Sequence, residues 1–179
     1  GYASSGFITS GYSNSALGAF SLASNTTGYQ NTSLGDSSMR LNTSGYENSA
    51  LGAFSLAANT TGFYNTAIGN KSLTSNTTGR DNTALGLLAL ASNTTGNSNT
   101  GIGNGALQSN TIGYESIAIG QGALYSNTTA NKNNAIGFES LNKNETGNFV
   151  NKNNQYIQSY HYVIGTEFIP KSNLRFTIE

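Results

Sequence analysis

Three carboxylates recur at even spacing: Glu47, Asp81 and Glu115. Rows of acids are what a polysaccharide-cleaving β-helix uses, so their separation matters. Each lies two 17-residue repeat units from the next. With turns stacked about 4.8 Å apart, neighbours in the row stand about 9.6 Å apart. That is the far edge of the separation an inverting carboxylate pair needs, roughly 6.5–9.5 Å. The same place in other units is variable, so the row reads as solvated charge, and no enzyme is expected. His161 stands without a second His or any Cys. It reads as a surface or packed histidine, and no metal or other cofactor is expected. Gly101-Ile102-Gly103 is the repeat itself and no nucleotide motif. The acidic nonapeptides of calcium rolls are missing. Asn25, Asn59, Asn76, Asn93 and Asn127 each begin an Asn-Thr-Thr sequon. All fall on one repeat place, where a structural amide bond explains them better than glycosylation.

What remains with binding capacity is aromatic. Tyr12, Tyr29, Tyr46 and Phe63 follow one another at the repeat spacing, and the row continues as Arg80, Asn97, Tyr114 and Asn131. A weaker row is Phe20, Phe54, Leu88 and Phe138. Tyr156, Tyr160, His161 and Tyr162 cluster near the C-terminus. A spacing of about 4.8 Å suits offset aromatic stacking, so the row could stack on sugar faces or pack against a sister chain. A sister chain is the favoured occupant.

The rest of the composition removes whole classes. The 179 residues hold 8 basic and 8 acidic side chains, only 9% charged, with 36% hydrophobic residues. Average soluble domains carry about 25% and 45–50%. Dispersed basic residues and zero net charge leave no footprint for nucleic acid. No apolar run reaches the length of a membrane span. One Pro and no Gly triplet exclude collagen. The absence of Cys is compatible with an extracellular protein. Residues 1–10, GYASSGFITS, lack the features of a signal peptide and read as the back half of a repeat, as in a processed product or an excerpt.

The elements that must position these residues follow from the repeat. Units begin at Gly11, Gly28, Gly45, Gly62, Gly79, Gly96, Gly113 and Ala130, filling 11–146 without insertion. Place seven is always Leu or Ile: Leu17, Leu34, Leu51, Ile68, Leu85, Ile102, Ile119 and Ile136. Place eight is always Gly: Gly18, Gly35, Gly52, Gly69, Gly86, Gly103, Gly120 and Gly137. Place twelve is Leu22, Met39, Leu56, Leu73, Leu90, Leu107, Leu124 and Leu141. Places six and eleven are always Ala, Ser or Gly. Place fifteen is always Asn: Asn25, Asn42, Asn59, Asn76, Asn93, Asn110, Asn127 and Asn144.

Glycine this dense rules out helix interiors. Short apolar triplets closed by Gly or Asn-Thr-Thr read as short strands and corners. A unit unable to bury its own apolar residues stacks on its neighbours. The expectation is an all-β parallel β-solenoid over 1–146, one coil per unit. Places seven and twelve form a thin core between two close walls, and place eight serves a corner. The place-fifteen amides are expected to form a ladder from coil to coil, with Thr and Ser rows doing likewise beside it. A thin rod is marginal alone, so self-association is expected.

Ser15-Ala16-Leu17-Gly18 with Ser21, Ser49-Ala50-Leu51-Gly52 with Ser55, and Ile117-Ala118-Ile119-Gly120 resemble the head repeats of YadA-like trimeric autotransporter adhesins. The longer pattern NTAIGxxALxSNTTG is similar to repeats of tail-fibre-domain and bacterial surface proteins. The resemblance covers 1–146 and departs from the 14-residue adhesin coil by three extra residues per unit. It implies a left-handed β-roll, a side-by-side homotrimer, and an adhesive or spacer role on a cell or virion surface, with a host receptor or glycan as ligand. A purely structural fibre, filament or tail-fibre shaft is the nearest alternative. Ice binding is a minor one, since the adjacent Thr-Thr rows sit at a turn and not on a flat strand face.

Charge returns late: nine of the sixteen charged residues fall after residue 129. The repeat is expected to fail after Gly147, and residues 147–179, aromatic and β-branched, are expected to form a short β cap or a binding tip.

Overall fold

The structure, a computed structural model, describes residues 9–144 and the backbone of a strand at 151–153. It is a parallel β-solenoid with a 17-residue repeat and no helix among the described residues. Each unit gives one three-residue strand: β1 Ser15–Leu17, β2 Thr32–Leu34, β3 Ser49–Leu51, β4 Thr66–Ile68, β5 Thr83–Leu85, β6 Thr100–Ile102, β7 Ile117–Ile119, β8 Asn134–Ile136 and β9 Asn151–Asn153. Successive strands pair in register, Ala50 beside Ala67 and Ala67 beside Ala84, in one sheet ordered β1 to β9. The sheet therefore runs past the expected boundary at 146, because Asn151 takes the partner position of Asn134 at the same offset. The expected cap over 147–179 lies outside the described residues, β9 apart.

Why the chain turns so tightly is visible in its backbone angles. Four places per coil adopt positive φ: in one coil Glu47 (51°), Gly52 (137°), Phe54 (58°) and Leu56 (49°). At Gly52 glycine is required twice over. Its φ is unfavourable for any side chain, and a Cβ there would lie 2.6 Å from the carbonyl oxygen of Gly69 in the next coil. This accounts for glycine at place eight in every unit. At place twelve the left-handed backbone is imposed on Leu, at a cost of about 1–2 kcal/mol. Burial of the side chain, worth about 1.5–3 kcal/mol, offsets it.

The core is thinner than the sequence suggests. Leu22, Met39, Leu56, Leu73, Leu90, Leu107 and Leu124 are fully buried and form one cluster with the Ala residues of places six and eleven; Leu141 packs partly buried at the end. Place seven is not core, and here the expectation is corrected. Leu17 (65% exposed), Leu51, Ile68, Leu85 and Ile136 are exposed, while Leu34, Ile102 and Ile119 are half-buried. Side chains alternate along a strand, so the small place-six residue, such as Ala50, points inward and Leu51 points out. One large apolar side chain per coil fills the lumen, where two were expected.

Asparagine supplies the remaining interior. Along place fifteen, Asn42 Nδ2 donates to Asn25 Oδ1 at 2.8 Å, and the pattern repeats through Asn59, Asn76, Asn93, Asn110 and Asn127. A second ladder runs along place four, through Asn14, Asn31, Asn48, Asn65, Asn82 and Asn99. Asn48 uses its whole amide: Nδ2 donates to Asn31 Oδ1 and Gly62 O, and Oδ1 accepts from Asn65 N and Nδ2. The two ladders meet at the place-one carbonyl. Gly62 O accepts from Asn48 at 2.9 Å and from Asn59 at 3.0 Å. Among the described residues no buried side-chain nitrogen or oxygen lacks a partner, as a polar interior requires.

Thr joins in as expected. Thr26 Oγ1 donates to Thr43 O at 3.0 Å, and that carbonyl also accepts the backbone N–H groups of Thr26, Thr27 and Gly28. In the Ser rows, Ser38 Oγ lies 3.1 Å from Ser55 Oγ.

Candidate functional surfaces

Two surfaces stand out, one apolar and one aromatic. The first is the outer face of the sheet. In-register pairing sets Leu17, Leu34, Leu51, Ile68, Leu85, Ile102, Ile119 and Ile136 in a single file. Over seven coil steps this ridge is about 34 Å long.

The second surface is the place-two row. Tyr12, Tyr29, Tyr46 and Phe63 stack with centroids 4.8–5.0 Å apart and planes within 7°. The centroid spacing equals the coil rise, so the fold itself sets the stacking distance. Tyr64 turns its ring edgewise to Tyr46 and Phe63. Arg80 continues the column, its Cζ lying 5.6 Å from the Phe63 centroid. The Tyr29 phenol is raised above its ordinary 10.0 by desolvation within the stack, then by Tyr46 and Tyr12. Tyr64 is also raised, first by the charge of Glu47 and then by desolvation.

Beyond Arg80 the column stops at Asn97 and an aromatic side chain returns at Tyr114. A cavity of about 310 Å³ opens there, lined among others by Tyr64, Arg80, Asp81, Asn97, Tyr114 and Glu115. Two of the three regularly spaced carboxylates reach this cavity. Asp81 sits 3.8 Å from Arg80 Nε, and Glu115 sits 3.7 Å from Lys132 Nζ. Both pairs are largely solvated, so they contribute little to stability.

The place-fifteen asparagines that begin the sequons are buried, and their amide nitrogens donate within the ladder. A glycan on any of them would break the rod. No group of three or more His, Asp or Glu able to hold a metal occurs among the described residues. No described helix is long and apolar enough to cross a membrane. Tyr156, Tyr160, His161 and Tyr162 lie outside the described residues.

The place-four ladder is the element that the expected ladder set lacks. Its signal is present in the sequence, since Asn holds that place in every unit except the one with Ser116. No protein-family model matches the chain, and neither the curated proteins nor the solved structures include a match.

Proposed function

We propose that this chain is a segment of an extracellular fibre that attaches a cell or virion to a surface or host. On this reading it is a left-handed β-roll of the kind found in YadA-like head repeats, with three copies packed side by side. The observation that carries the proposal is the exposed Leu/Ile ridge. Soluble monomers rarely leave a contiguous apolar strip of this length in water. Leu51 and Leu85 are 47% and 42% exposed, so covering what remains of each would contribute about 1 kcal/mol. A rod whose two Asn ladders already satisfy the interior has a sister chain as the natural cover for the ridge.

Sedimentation or native mass measurement tests this. The expected result is a trimer that the double change Leu51→Asp and Leu85→Asp converts to monomers with unchanged β-sheet content. A wild-type monomer at every concentration would overturn it.

The uniformity of the coils also supports a purely structural shaft, and adhesion to target cells separates the two. Ice binding draws less support. The place-sixteen Thr hydroxyls, such as those of Thr60 and Thr77, donate to carbonyls of the next coil and are spent on the fold.

A further inference from the structure

Between Tyr12 and Tyr114 the aromatic column lacks a ring at two consecutive rungs, Arg80 and Asn97, and the space left beyond Arg80 has the dimensions of one ring. Arg80 already covers the Phe63 face. At the next rung Asn97 is short, and its Oδ1 accepts the Arg80 backbone N–H at 2.9 Å, which holds the amide against the coil. From the Arg80 rung to the Tyr114 rung is two coil rises, about 9.6 Å. One ring placed between them would stack at the spacing the protein uses for its own rings, 4.8 Å between Tyr29 and Tyr46. The cavity, about 310 Å³, falls at the lower end of the roughly 300–1,000 Å³ of small-molecule sites.

Its rim is polar. Asp81 and Glu115 offer carboxylate acceptors and Asn97 an amide, in a chain that has few charges to spare. Arg80 pairs with Asp81, and Lys132 pairs with Glu115, so the local charge sums to zero. An apolar ring face over Tyr114, with acceptors around the edge and no net charge, matches a neutral sugar. With its charges paired off, the groove offers a phosphate or carboxylate ligand no net attraction.

We propose that this groove binds one neutral pyranose unit of a polysaccharide, stacked on Tyr114 with its hydroxyls on Asp81, Glu115 and Asn97. The proposal deepens the attachment reading by naming its ligand class, and rests on that reading for its biological setting.

The test is calorimetric titration and saturation-transfer NMR of the full chain with cellotetraose, mannotetraose, maltotetraose and galactotetraose. At least one is expected to bind. Asn97→Tyr restores the rung that Tyr29 and Tyr46 occupy, so the rod keeps its fold while the groove is filled. It should weaken binding about tenfold or more, the equivalent of one lost stacking contact. Tyr114→Ala should do the same, and Tyr12→Ala should leave binding unchanged. The proposal is overturned if none of the four sugars binds, if Asn97→Tyr binds as the wild type does, or if Tyr12→Ala loses as much as Tyr114→Ala. Binding of a tyrosine- or tryptophan-bearing peptide with no sugar binding would also overturn it, in favour of a protein ligand.

The titration requires neither adhesion nor self-association. A monomer that fails to adhere but binds sugar through Tyr114 removes the fibre reading and keeps the groove. A trimer that adheres yet ignores the sugars does the reverse.

Discussion

Asn59 donates to Asn42 across 2.8 Å, and both side chains are wholly buried. Each is the other's neighbour only because the coil length is constant. Asn59→Ala would leave Asn42 Oδ1 without the donor it has, and would take one of two acceptors from Asn76 Nδ2. Orphaned buried polar groups cost about 1–3 kcal/mol each. The expected loss is about 2–5 kcal/mol, read as a lower denaturant midpoint. A change no greater than that of an exposed substitution such as Thr61→Ala would refute the ladder's structural role.

Ser116 is the weak rung of the place-four ladder. Its N–H donates to Asn99 Oδ1, its hydroxyl accepts the Asn133 N–H at 3.2 Å, and Asn133 Nδ2 instead reaches Asn127 Oδ1 at 3.4 Å. Ser116→Asn would restore donors to Asn99 Oδ1 and Ala130 O. Stability should rise by about 1 kcal/mol, seen as a higher melting temperature. A fall would mean that the Asn133–Asn127 link matters more than the restored rung.

Glycines of the repeat should differ sharply in tolerance. At Gly62 an added Cβ would lie 2.5 Å from the Gly79 carbonyl oxygen and press on the Asn59 amide, so Gly62→Ala should disrupt both ladders at their junction. Gly105 has φ 66°, but other coils place Phe54, Lys71 or Leu88 in that same conformation. The nearest atoms to its added Cβ would be side-chain atoms of Gln108 and Tyr125, at 3.2–3.4 Å, with no backbone as close. Gly105→Asn should therefore be close to neutral, within about 0.5 kcal/mol. Circular dichroism melts of the two variants side by side decide the matter.

The raised Tyr29 phenol implies alkaline sensitivity. Its neutral form is favoured in the folded rod, so the unfolded chain ionises first. This contribution is complete below the unfolded value near 10.0 and falls as pH rises from there through the higher folded value. Tyr29→Phe should flatten the decline in stability above that pH, and phenolate absorbance should show one fewer late-titrating group. An unchanged alkaline profile would count against desolvation in the stack.

Much of this architecture is legible in the repeat. Constant Gly at place eight and constant Asn at place fifteen announce a stacked coil, and both serve as expected. Place seven misleads because invariance of Leu or Ile suggests a core. The strand at 49–51 has three residues, so a small inward Ala50 forces Leu51 outward. A backbone of alternating faces decides burial before hydrophobicity does. The left-handed Leu at place twelve leaves no local mark, since leucine disfavours that conformation and only packing enforces it. The groove is written as a gap: Arg80 and Asn97 hold the place that is aromatic in the first four coils, but its volume depends on how those side chains lie.

Each coil bonds only to the one before and the one after, as Asn48 does to Asn31 and Asn65. The chain enters at one end of the stack and leaves at the other. Tension on the two ends would therefore peel the rod from its ends, one turn at a time, instead of shearing it whole. Every turn released pays out 17 residues of slack, roughly 56–61 Å of contour, in exchange for a single rise of about 4.8 Å. Pulled from its two ends, a rod built this way would lengthen in equal steps of this size, one for each 17-residue turn released.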